Sequence, residues 1–103
     1  MTLVHPSLTI STEELTAFCE RWGIKELALF GSAARGELRP ESDVDFMIEF
    51  KRDAHVGLRE YFSLRDELSE MVGRPIDISS KETLRNPYRS ASIMRDLTVL
   101  YAA

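Results

Sequence analysis

The chain has 103 residues, enough for one hydrophobic core and too few for a second, so a single domain over 1–103 is expected. With 44% apolar and 29% charged residues, five Gly and four Pro, the composition excludes a disordered or fibrous chain. A formal charge of −4 leaves no basic surplus for neutralising several phosphates, which argues against direct nucleic-acid binding. No apolar run reaches the roughly 18 residues of a membrane span, no export signal opens the chain, and the single Cys19 has no partner for an internal disulfide. A cytoplasmic protein away from the membrane is therefore expected.

Taken in chain order, Ser11-Thr12-Glu13-Glu14 reads as a capping box that opens a helix. Leu15, Phe18, Cys19 and Trp22 follow at helical spacing, and Gly23 supplies the left-handed residue that ends it. Glu26–Phe30 is a short apolar run closed by Gly31, of strand length. From Asp43 to Phe50 the pattern alternates strictly, with Val44, Phe46, Ile48 and Phe50 on one face and Asp43, Asp45, Met47 and Glu49 on the other. Between Val56 and Val72, Leu58, Tyr61, Phe62, Leu68, Met71 and Val72 predict a long amphipathic helix, stopped by Gly73-Arg74-Pro75. Phe62 is read as core rather than as a base-stacking surface.

Pro75–Ser79 alternates again, with Asp77 directed away from the face of Ile76 and Ile78. Ser79–Glu82 has the residues to cap a helical turn, and Asn86-Pro87 to start a helix running to about Asp96. Thr98–Tyr101 is either a terminal strand or an apolar tail that docks on a partner. The order of elements implies an α/β (α+β) fold, a small mixed β-sheet with helices packed mainly on one face.

Chemistry concentrates in Gly31-Ser32-Ala33-Ala34-Arg35-Gly36 and in Ser42-Asp43-Val44-Asp45. Asp43 and Asp45 sit on one face of a strand, with α-carbons about 6 to 7 Å apart. Two carboxylates at that spacing suit Mg²⁺, which takes its remaining oxygen ligands from water and substrate phosphates. Gly31-Ser32 lies between a strand and a helical turn, where backbone N–H groups and the Ser32 hydroxyl can meet phosphate oxygens. Neither the Walker pattern nor G-x-G-x-x-G occurs.

Asp77 is the third candidate, brought beside the pair if its strand neighbours theirs in register. Three crowded carboxylates repel unless cations bind, and beside a metal Asp77 can accept a proton from an attacking hydroxyl. On its own Asp77 is equally well read as a solvated outward residue. Arg35 and Arg39 flank the acids, and either can reach a triphosphate or simply pair with Glu37 or Glu41. Arg85, Arg89 and Arg95 fit a solvated helix face, and His5 and His55 have no zinc-ligand spacing.

Gly31-Ser32, then Asp43-Val44-Asp45 on the next strand, then Asp77 on a later one, resemble the signature of the minimal nucleotidyltransferases (MNT type) of the DNA polymerase β superfamily. The resemblance covers nearly the whole chain. It implies that Asp43, Asp45 and Asp77 are catalytic and hold Mg²⁺ or Mn²⁺, with Asp77 as base, and that Gly31 and Ser32, joined by Arg35, contact the nucleotide. Similar proteins are antitoxins paired with a HEPN-domain toxin, so the resemblance also implies transfer of AMP from ATP to a tyrosine hydroxyl of that toxin. Larger relatives carry an added helical domain, and a chain this short is expected to borrow part of its acceptor site from the partner. Two alternatives stay open: an antitoxin that neutralises by occlusion without catalysis, and a transferase acting on a small molecule. Base preference and self-association are left open.

Overall fold

The computed structural model describes residues 3–80 and 97–103. Helix α1 spans Thr12–Trp22, β1 Ile24–Phe30, α2 Gly31–Arg35, β2 Val44–Phe50, α3 Leu58–Val72, β3 Ile76–Ser80 and β4 Thr98–Ala102. The capping box at α1 is formed from both sides: the Glu14 N–H donates to Ser11 Oγ, and the Ser11 N–H donates to the Glu14 carboxylate. Gly23 ends the helix with φ 67°.

The four strands lie in the order β3-β2-β1-β4. β1 is antiparallel to both β2 and β4, whereas β2 and β3 are parallel. A parallel pair needs a crossover, and α3 supplies it. The terminal segment is thus an edge strand. Among the described residues no helix is long and apolar enough to cross a membrane.

Strand alternation divides the sheet into two chemically distinct faces. Leu27 and Leu29 of β1, Val44, Phe46 and Ile48 of β2, and Ile76 and Ile78 of β3 join Leu15, Phe18 and Cys19 of α1 and Leu64 and Leu68 of α3 in the main core. Ile24 belongs to the same core despite its odd spacing from Leu27, because the register slips between Ile24 and Glu26 and Lys25 is left unopposed. Trp22 Nε1 donates to the Glu67 carboxylate at 2.7 Å, and Arg21 pairs with the same carboxylate, which ties α1 to α3. On the other face Ala28 and Met47 form a smaller buried cluster, packed against Phe30 and Leu97.

Two sequence expectations change. The buried stripe of α3 is Leu64 and Leu68, with Met71 packed beside them, while Leu58 and Phe62 are 73% and 43% exposed. Leu58 lies about 80° and Phe62 about 120° around the helix from Leu68, so neither shares its face. The Arg65 guanidinium lies 5.0 Å over the Phe62 ring instead. The helix also begins at Leu58 rather than Val56. Leu8 and Ile10, in the segment before α1, are buried in the main core although no periodicity announces them. The expected turn at Ser79–Glu82 and helix from Asn86 to Asp96, with Arg85, Arg89 and Arg95, extend outside the described residues.

Candidate functional site

Asp45 is the second residue of β2 and Asp77 the second residue of β3, and the parallel register pairs them directly. Directly paired residues on neighbouring strands lie about 4.8 Å apart. On the other side Asp45 faces Phe30, the last residue of β1. Asp45 is half-buried and Asp77 exposed, on the face opposite Phe46 and Ile78. Asp43 is exposed and immediately precedes β2, whose first residue is Val44 rather than Asp43.

Electrostatics ties the three together. Burial raises the Asp45 carboxyl pKa above its ordinary range, and the negative charges of Asp77 and Asp43 push it further in the same direction. Among the described residues, no three His, Cys, Asp or Glu side chains enclose a ready-made metal cage. The donor set instead fits a hard divalent cation held by one or two carboxylates and completed by water and phosphate, the habit of Mg²⁺.

The Gly31-Ser32 turn meets this cluster at the end of β1. Gly31 has φ 72°, in the left-handed region. A Cβ built there would stand 2.6 Å from Asp45 Oδ2. Glycine is required twice, by backbone conformation and by the approach of a carboxylate. Helix α2 starts at this residue, and its N-cap, Phe30, makes no side-chain cap hydrogen bond. Gly36 closes α2 with φ 74°, and the Glu37 N–H donates to the Ser32 carbonyl at 2.8 Å. Arg35 ends the helix, and its Nε donates to the Glu37 carboxylate at 3.0 Å. An exposed pair of this kind holds its guanidinium weakly.

One residue read from sequence only as a helix stop has a further role. Arg74 Nη1 donates to the carbonyls of Arg39 at 3.0 Å and Ser42 at 3.2 Å, both in the segment that leads into Asp43. The parallel pairing of Asp45 with Asp77 places Arg74 beside Ser42, so only the register carries this signal.

The comparisons with known proteins agree with one another. The family model described as "Nucleotidyltransferase domain" matches residues 13–100. A protein of Methanocaldococcus jannaschii, provisionally named a protein adenylyltransferase, is 40% identical over 76% of this chain and 78% of its own. Protein adenylyltransferase MntA of Thermococcus cleftensis is 33% identical over 81% of this chain and 79% of its own. A solved structure of the tri-AMPylated Shewanella oneidensis HEPN toxin in complex with MNT antitoxin contains a chain similar in fold, with TM-score 0.60 and 11% identity over 89% of this chain and 70% of that one.

Proposed function

The chain belongs to the nucleotidyltransferase domain family, and from that premise we propose that it transfers AMP from ATP to a tyrosine hydroxyl of a HEPN-domain toxin and thereby neutralises it. Asp43 and Asp45 would hold Mg²⁺ or Mn²⁺, with Asp77 as the third carboxylate. The bound cation would supply charge stabilisation on the transferring phosphoryl group. The Gly31 and Ser32 backbone N–H groups and the Ser32 hydroxyl bind the triphosphate, joined by Arg35 at the end of α2. The tyrosine oxygen attacks the α-phosphorus, the bond to the β-phosphate oxygen breaks, and pyrophosphate leaves. Asp77, exposed on β3, accepts the tyrosine proton.

The observation that carries this reading is the fit of Gly31 against Asp45 Oδ2, with Asp77 in register on the far side. A phosphate-binding turn and an acidic pair from three strand ends then meet at one place. The names of the relatives support a protein acceptor, and the AMPylated toxin complex supports its class.

The test incubates the protein with labelled ATP, Mg²⁺ and the HEPN-type protein encoded beside it. Label on the toxin, lost together with neutralisation when Asp43→Asn and Asp45→Asn are combined, is the expected result. Neutralisation that survives the double substitution would replace transfer by occlusion, and label on a small molecule without any partner would replace the protein acceptor.

A further inference from the structure

We infer that Arg74 is a positioning residue for Asp43, holding the segment before β2 so that the carboxylate is presented to the cation; this rests on the metal-dependent transfer proposed above. The backbone of Arg74 is itself anchored. Its N–H donates to the Ser69 carbonyl at 3.3 Å, and its own carbonyl accepts from Ser69 Oγ at 2.7 Å, both against the last turns of α3. From that fixed base the side chain crosses to the neighbouring strand's lead-in and bonds two carbonyls with one guanidinium nitrogen.

The segment it grips is already folded on itself. The Ser42 N–H donates to the Arg39 carbonyl at 3.0 Å, and the Arg39 N–H donates to Ser42 Oγ at 3.3 Å. Immediately beyond Asp43, the Val44 N–H donates to the Pro75 carbonyl at 3.1 Å. Asp43 is therefore suspended between two fixed points, the Ser42 carbonyl held by Arg74 and the Val44 amide held by Pro75. Removing the first leaves an exposed carboxylate at the end of a segment tethered on one side only. Guanidinium suits the task because it offers planar, fixed donors to carbonyl oxygens.

The test compares Arg74→Met, which keeps the aliphatic stem, with Arg74→Lys, which keeps a charge able to reach one carbonyl. Two readouts do not depend on turnover: amide hydrogen exchange of residues 39–44, and Mn²⁺ affinity measured by electron paramagnetic resonance with a non-hydrolysable ATP analogue. Arg74→Met is expected to speed exchange in that segment and weaken Mn²⁺ binding about tenfold, the lower range for partners that orient metal ligands. It should raise the Mg²⁺ concentration needed for half-maximal transfer by the same factor, and Arg74→Lys should recover part of the loss. Unchanged exchange and unchanged Mn²⁺ affinity in a folded Arg74→Met would overturn the role. If Arg74→Met does not fold, Arg74→Lys decides: weakened Mn²⁺ binding upholds the role and wild-type binding overturns it. Asp45→Asn, measured alongside, separates the two levels. Loss of Mn²⁺ there with none in Arg74→Met sinks only the role of Arg74, whereas Mn²⁺ retained by Asp45→Asn sinks the metal site itself.

Discussion

Gly31 and Gly36 offer a paired experiment, because they share a backbone conformation and differ in what surrounds them. Their φ angles are 72° and 74°, so alanine at either position pays the same left-handed penalty, about 1–2 kcal/mol. For a domain of this size each kcal/mol lowers Tm by about 4–8 °C, and both variants should melt earlier by similar amounts. The surroundings then separate them. A Cβ at Gly36 has no heavy atom within 4 Å, whereas at Gly31 it stands 2.6 Å from Asp45 Oδ2 and 3.5 Å from the carboxyl carbon. In Gly31→Ala the Asp45 carboxylate has to swing away from the turn, and a displacement on the order of 1 Å at a reacting centre costs about 10²-fold in rate. Thermal melting with transfer of labelled AMP to the toxin reads both effects. The expected result is two comparable losses of Tm and a loss of transfer specific to Gly31→Ala. Equal transfer losses in the two variants would show that backbone strain alone is responsible, and full transfer by Gly31→Ala would refute the contact between turn and carboxylate as a functional feature.

Asp45→Asn should abolish transfer while raising stability at neutral pH, since it removes a charge that burial and two like-charged neighbours disfavour. The sign follows from the raised folded-state pKa. The native state binds this proton more tightly than the unfolded chain, so the cost of charging Asp45 is complete above its folded pKa and fades as pH falls to the unfolded carboxylate value. The stability gain of the asparagine variant should therefore shrink on acidification in denaturant melts; a gain constant with pH, or a loss of stability at pH 7, would contradict the electrostatic coupling. Cys19 is fully buried, and burial pushes its thiol up to about 12, so it should resist alkylation at pH 8 in the native state and react only on unfolding. Stoichiometric labelling of folded protein, followed by mass spectrometry, would contradict its place in the core.

What was legible beforehand divides by the range of the interaction responsible. The α1 capping box and the alternation of β2 act over a few residues, so Ser11, Glu14 and the inward set Val44, Phe46 and Ile48 could be read directly. Leu58 and Phe62 misled because apolar residues on a helix announce a face only when their phase agrees, and the phase of α3 is set by Leu64 and Leu68 against the sheet. Ile24 was missed for a related reason, a bulge at Lys25 that resets the alternation. For the acids, alternation gave the face on which each side chain lies but could not give the neighbour across the sheet. That depended on β3 lying beside β2 with Asp77 opposite Asp45, a consequence of the α3 crossover. The same register brings Arg74 beside Ser42, a juxtaposition no local pattern contains. The candidate site thus inherits its geometry from the packing of α3: shifting β3 by one residue would turn Asp77 to the core face and, in the same movement, detach Arg74 from the segment that carries Asp43.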